Sequence, residues 1–200
     1  MRPRIMWEDI INTSSRFGAA LGCAAVVSTL VGWSGSGSAT ALPVTGSAGG
    51  IDVAITAQSP TIVRPGAAPM RFDVTLVNTT TIDDAQVGLV VSLGHCTCNP
   101  GPLKMMPNGS MRMLDAGTNT WQTVPYVTEG GGTDFLTRAL VAPFALDHGQ
   151  TTTYQLELEL DADHPVDAGE SAIDVTMTDV STNRPIGASP TASLPITVEP

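Results

Sequence analysis

Residues 151–161 read TTTYQLELELD, the most regular alternation in the chain. Tyr154, Leu156, Leu158 and Leu160 take turns with Gln155, Glu157, Glu159 and Asp161. In an extended strand that period of two puts every apolar side chain on one face and every polar one on the other. The same period recurs on both sides. Ile51, Val53 and Ile55 alternate with Asp52, Ala54 and Thr56. Met70, Phe72, Val74 and Leu76 alternate with Arg71, Asp73, Thr75 and Val77. Val87, Leu89 and Val91 follow, then Ile173, Val175 and Met177, and finally Leu194, Ile196 and Val198. Turn formers separate the runs: Arg64-Pro65-Gly66, Asn78-Thr79-Thr80, Asp147-His148-Gly149, Asp167-Ala168-Gly169 and Asn183-Arg184-Pro185. Short half-buried strands with such punctuation predict an all-β chain, a sandwich or a barrel. No segment sustains a 3.6-residue stripe. Thr133-Asp134 before Phe135, Leu136, Ala139 and Leu140 suggests one short helix with Thr133 as N-cap.

The N-terminal part reads differently. Arg2, Arg4 and Arg16 precede an uncharged run from Phe17 to Trp33, and small residues then lead to Ala39-Thr40-Ala41. A basic region, an apolar core and an A-x-A site make a secretory signal peptide, here 1–41, with cleavage after Ala41. The same run is at the lower edge of what spans a bilayer, so an uncleaved anchor at 17–33 is the competing reading. Leu21-Gly22-Cys23 has the wrong spacing for a lipobox, and Leu42-Pro43-Val44-Thr45-Gly46 is no sortase signal without an apolar span and basic residues after it. Residues 42–50, rich in Gly, Ser, Pro and Ala, are expected to be a flexible linker ahead of the domain at 51–200.

The chain carries a formal net charge of −10. Loss of residues 1–41 removes three arginines and two acidic residues, so the remainder is one unit more negative. Nucleic acid and anionic lipid headgroups both need clustered Lys and Arg, and neither is an expected partner.

The stretch Val63-Arg64-Pro65-Gly66 followed by Phe72-Asp73-Val74-Thr75-Leu76-Val77-Asn78-Thr79 runs from a Pro-Gly turn into an alternating strand that ends in Asn. Ala145-Leu146-Asp147-His148-Gly149-Gln150-Thr151 and Ala168-Gly169-Glu170 each stand before a later strand. Together these resemble the Ig-like repeats of exported bacterial proteins of the CARDB and NEW3 type, over roughly 51–93 and 144–198. The resemblance implies an immunoglobulin-like β-sandwich of about seven strands, a scaffold with an accessory or binding role and no fixed ligand. Residues 94–143 depart from it. They are expected to be an insertion beside the scaffold, and they hold Cys96, Cys98, Met105, Met106, Met111, Met113 and Trp121.

Within the insertion, His95-Cys96-Thr97-Cys98 is the most chemical tetrapeptide. In an exported chain the two cysteines are expected to form a disulfide, one whose small ring adds little loop entropy and is strained and easily reduced. The alternative is a soft-metal or redox protein: thiolates and thioethers suit copper(I), and His95 could complete the set. The bland reading of the methionines is apolar filling. No second Cys or His pair supports zinc. Asp161, Asp163, Asp167 and Glu170 crowd one loop, but Pro165 and Val166 stand where a calcium loop needs a polar ligand and Gly, so a solvated turn is expected. His95, His148 and His164 lie beside turns, and no G-x-S-x-G, H-E-x-x-H, P-loop or G-x-G-x-x-G motif occurs. An envelope hydrolase is therefore the weakest reading. Asn78-Thr79-Thr80 and Asn108-Gly109-Ser110 are sequons of the length that chance supplies.

The expectation is thus a non-catalytic, secreted or cell-envelope binding or structural module with no cofactor. Its partner would be an envelope protein or glycan, and Trp121 and Tyr126 are the candidate aromatic anchors.

Overall fold

Alternation along the sequence becomes alternation in burial. The computed structural model describes residues 42–81, 85–93, 95–99, 108–128, 135–137, 144–163, 166–179, 181–182 and 184–200. Residues 1–41, read above as an export signal, lie outside them, as do Met105, Met106, Gly130-Gly131-Gly132, Thr133 and His164.

Among the described residues every regular element is a strand. These are β1 (Val44–Ala48), β2 (Ile51–Ala57), β3 (Ile62–Val63), β4 (Met70–Asn78), β5 (Ala85–Leu93), β6 (Gly109–Asp115) and β7 (Thr120–Thr123). Then come β8 (Tyr126–Thr128), β9 (Phe135–Thr137), β10 (Phe144–Leu146), β11 (Thr151–Leu160), β12 (Gly169–Asp179), β13 (Arg184–Pro185) and β14 (Ala192–Val198). A six-stranded sheet has the order β1-β2-β4-β11-β6-β7. An eight-stranded sheet runs β3-β14-β12-β5-β9-β8, with β10 on β5 and β13 on β12. Pairing is antiparallel except between β3 and β14.

Register explains the core. Phe72 stands opposite Leu156 and Leu156 opposite Met113; Met70, Leu158 and Met111 form the adjacent row. In the other sheet Ile173 lies between Leu93 and Leu194, and Val175 between Val91 and Ala192. Both sets fall in one buried cluster. Each such side chain contributes about 1.5–3 kcal/mol on burial, so shared rows of this kind supply the main driving force. Asn78 is one of the buried polar residues, with Glu157, Thr178 and Thr191. Its Nδ2 donates to Leu146 O at 2.6 Å, and its Oδ1 accepts from Thr80 N and Oγ1. The first sequon is thereby taken up in the core.

Three expectations are corrected. The stretch 42–50 is no linker: its residues 44–48 are β1, paired with β2 from Val44↔Ile55 to Ala48↔Ile51. Gly49 and Gly50 have φ of 59° and 78°, the two left-handed residues that a type I′ hairpin turn requires. A Cβ on Gly46 would stand 1.7 Å from Thr191 O. Small residues occur here because β1 lies against the chain just ahead of β14.

The second correction concerns 94–143, which is not an insertion beside the scaffold. Its β6 pairs with β11 and carries β7 at the edge of the six-stranded sheet, while β9 pairs with β5 and carries β8. The crossing between sheets falls at Val124-Pro125, where buried Val124 donates its N–H to Met111 O at 2.9 Å. Met111 and Met113 alternate with Arg112 in the same period of two as the other strands. Third, Phe135–Thr137 is strand rather than helix, with Ser92↔Leu136 and Leu93↔Phe135 in register. A strand partner in β5 overrides a weak local cap.

Candidate functional site

Glu157 lies in the middle of the six-stranded sheet on the face opposite the core, yet only 2% of its side chain is exposed. Its neighbours across the ladder are Arg71 on β4 and Arg112 on β6. Arg71 Nε donates to Glu157 Oε2 at 3.2 Å, and Arg112 Nη2 donates to Oε1 at 2.8 Å. Arg112 also reaches Glu159 Oε2 at 3.2 Å. The two cations and two carboxylates thus balance within the cluster.

Trp121 completes it from the edge. It sits on β7 opposite Leu114, and the Arg71 guanidinium carbon lies 5.4 Å from its ring centroid. β4 and β7 are separated by β11 and β6, roughly 14 Å at about 4.8 Å per strand. Arg71 and Trp121 therefore lean toward one another across the sheet, and that accounts for the burial of a carboxylate on an outward face. A carboxylate so enclosed needs its partners, since an unpaired buried charge costs several kcal/mol. Arg71 itself remains 58% exposed.

Beside the cluster, polar pairs on this face are held by hydrogen bonds, among apolar residues such as Leu114 and Val77. Thr75 and Thr153 hydroxyls pair at 3.0 Å, and Gln58 Nε2 donates to Asp73 Oδ2 at 2.8 Å. Burial holds the Asp73 carboxyl above its ordinary range, opposed by that hydrogen bond. Ser59 Oγ accepts from Arg71 N, which fixes the strand under the cluster. At the hairpin that carries β7, the backbone N–H groups of Thr118 and Gly117 hold the Asp115 carboxyl below its usual value.

The other sequence candidates lie elsewhere. Cys96 and Cys98 are joined, with Cα atoms 5.1 Å apart, and both are fully buried. Their turn docks on the start of β12. Thr97 N donates to Glu170 O at 3.0 Å, Glu170 N donates back to Thr97 Oγ1 at 2.8 Å, and Asp167 N donates to Cys98 O at 2.8 Å. A Cβ on Gly169 would stand 2.3 Å from Cys98 N, so the contact is backbone on backbone. Bonded to each other, the sulfurs present no thiolate to a metal. His95 is exposed; Met111 is buried in the core, and Met113 packs against it. Among the described residues no group of three His, Cys, Asp or Glu side chains is placed to hold a metal ion. Asp161, Asp163, Asp167 and Glu170 are exposed. Tyr126 opens β8 at the edge of the other sheet; its side-chain surroundings lie outside what is described. Trp121 and Tyr126 thus stand on different sheets.

Of the residues on this face, sequence pattern singles out Trp121 as a candidate and gives no sign of Arg71, Glu157 and Arg112. The polar half of the alternation marks each as outward-facing, but nothing in the separation of 86 residues between Arg71 and Glu157, or of 47 between Arg112 and Glu159, announces that they meet.

No family model matches the chain, and no curated protein does. Among solved structures it is similar to AvmM, which catalyses macrocyclization in alchivemycin A biosynthesis, at 10% identity over 74% of this chain and 89% of that one (TM-score 0.47). It is also similar to the Pseudomonas fluorescens alkylpurine DNA glycosylase AlkC bound to DNA with an abasic-site analogue. There identity is 12% over 71% of this chain and 28% of that one (TM-score 0.35). A chain of a type I cohesin–dockerin complex from Clostridium thermocellum matches at 12% identity over 69% and 89% (TM-score 0.28). At such scores these likenesses assign this chain neither activity nor partner.

Proposed function

We propose that this chain is an exported Ig-like β-sandwich of the CARDB and NEW3 type, acting outside the cytoplasm as a non-catalytic binding module. The observation that carries the reading is the Trp121–Arg71 pair on the outward face of the six-stranded sheet. A rigid aromatic side chain backed by a guanidinium supplies contact area at small entropic cost, the property of an interface anchor. Two sheets sharing one core are consistent with the Ig-like architecture.

The test compares three variants in a pull-down from envelope extract beside thermal melts. Trp121→Ala with Tyr126→Ala is expected to lose the captured partner while still melting cooperatively. Its midpoint should fall by a few degrees, since removing the ring uncovers Glu157. Trp121→Phe should keep most of the binding. Leu156→Asp, a charge in a fully buried row, is expected not to fold. Undiminished capture by the folded double variant would overturn the reading.

A further inference from the structure

We infer that β7 is a docking edge for a second copy of this chain, which adds its own β7 antiparallel to it about a twofold axis at Gln122. The inference goes beyond the binding-module reading and does not depend on it. β7 ends the six-stranded sheet and pairs with β6 alone among the described strands. An edge strand leaves one row of backbone N–H and C=O groups unpaired, and folds commonly guard such a row with charge, a bulge or a cover. Here Thr120, Gln122 and Thr123 are exposed, and none of the residues Thr120–Thr123 carries a charge. Trp121 leans back over the sheet toward Arg71 and so away from the edge.

The ladder fixes which backbone groups the edge offers. Val124 donates its N–H to Met111 O at 2.9 Å, one step beyond the Arg112↔Thr123 pair. Antiparallel partners alternate between hydrogen-bonded and non-hydrogen-bonded pairs. Val124, Gln122 and Thr120 therefore turn their backbone groups toward β6, and Trp121 and Thr123 turn theirs to the edge. Pro125, next in the outward series, has no N–H. At the other end Asn119 is left-handed, with φ of 54°, and its N–H is held by Asp115 O. The window is thus two residues wide and centred on Gln122.

Such a window is self-complementary. A twofold axis at Gln122 puts Trp121 opposite the partner's Thr123, and Thr123 opposite the partner's Trp121, so every offered group pairs and four hydrogen bonds form. Gln122 then faces the partner's Gln122 as a non-hydrogen-bonded pair, with Cα atoms about 4.5 Å apart. Any shifted register brings Asn119 or Pro125 into the ladder and loses bonds. A longer foreign strand gains no more than the same four bonds and leaves its own groups unmatched beside Pro125. Charge points the same way. A chain of −10 repels its own copy, and contact costs least where the strand itself sets no like charges opposite one another. The other edges fit less well: β1 lies against the chain ahead of β14, and β3 has two residues. Two four-residue strands bury well under the roughly 1,000 Å² of a lasting interface, so the dimer is weak and forms at high concentration.

Sedimentation equilibrium of the full chain, from about 5 to about 500 µM, is the test. The wild-type chain should pass from monomer to dimer over that range. Gln122→Lys and Gln122→Glu each set like charges face to face at the axis, and each should weaken association at least about tenfold. An equimolar mixture of the two should recover it as a one-to-one complex. Because Gln122 is exposed, both variants should melt with the wild-type midpoint at low concentration. Thr123→Pro removes an edge N–H that the monomer does not use, and should also abolish the dimer. A wild-type chain that stays monomeric throughout would overturn the inference. So would undiminished association of Gln122→Lys, a mixture no tighter than either variant alone, or growth past the dimer, since a twofold contact through one edge closes at two copies.

Discussion

Gly46→Ala separates two pictures of the first described strand, and they predict opposite signs. If 42–50 were a flexible linker, the added methyl would meet only solvent and would restrict the unfolded chain. Gly→Ala at a compatible site stabilises by about 0.4–1 kcal/mol for that reason. In the structure the new Cβ would instead stand 1.7 Å from Thr191 O and 2.8 Å from Thr191 C. Real Cβ atoms essentially never approach a heavy atom closer than 3.0 Å, so one backbone must yield by more than an ångström. Neither is free to do so: β1 is tied along its length to β2, and Thr191 donates its N–H to Val175 O at 2.8 Å. Overpacking of this kind costs about 1–3 kcal/mol, and rigid backbone on both sides favours the upper end. At about 2–4 °C per kcal/mol for a domain of this size, the upper end lowers the melting midpoint by about 6–12 °C. Gly149→Ala is the control, because no atom lies within 4 Å of its added Cβ and only its φ of 72° opposes the change. Thermal melts of both variants beside the wild-type chain decide the matter. A midpoint unchanged or raised by Gly46→Ala would show that β1 does not hold its place, and that the small residues of 42–50 are a linker after all.

Three further outcomes are expected. Alkylation of the folded chain without reductant, read by peptide mapping so that Cys23 is counted separately, should label neither Cys96 nor Cys98. A dithiol should reduce their bridge far more slowly in buffer than in denaturant, because both sulfurs are fully buried; equal rates would refute that shielding. Asp179 is held below its ordinary value by hydrogen bonds from the Ser181 hydroxyl and then from Thr182 N. Its stabilisation is therefore complete above the ordinary carboxylate pKa and is lost as pH falls through the lower folded value, so Asp179→Asn should shrink the drop in melting midpoint between about pH 5 and about pH 2. An unchanged acid loss would place the effect elsewhere. Intact mass of the exported product should give Leu42 as its first residue; a full-length species in the membrane fraction would make 17–33 an anchor instead.

The strands that form the core were legible because alternation is a local signal. All six apolar runs, from Ile51–Ala57 to Ala192–Val198, are strands, and most of their inward residues among those described are buried, with Tyr154 half-buried. The strands that reading missed are those whose reason for existing is elsewhere in the chain. β1 is strand because Ile51–Ala57 offers it a partner and Thr191 leaves room only for glycine. Phe135–Thr137 is strand because Leu93 and Ser92 lie open to it. The candidate site is hidden for the same reason in stronger form. A sequence in which Glu157 and Glu159 alternate with leucines looks like a solvated face, and most such faces are only that. What turns this one into a cluster is strand order: β11 lies between β4 and β6, so one glutamate faces an arginine on each side, and β7 follows β6 closely enough to bring Trp121 over them. Strand order across a sheet is set by which apolar rows pack best together. The outward constellation is thus a consequence of the core that the alternation encodes, and only the assembled sheet displays it.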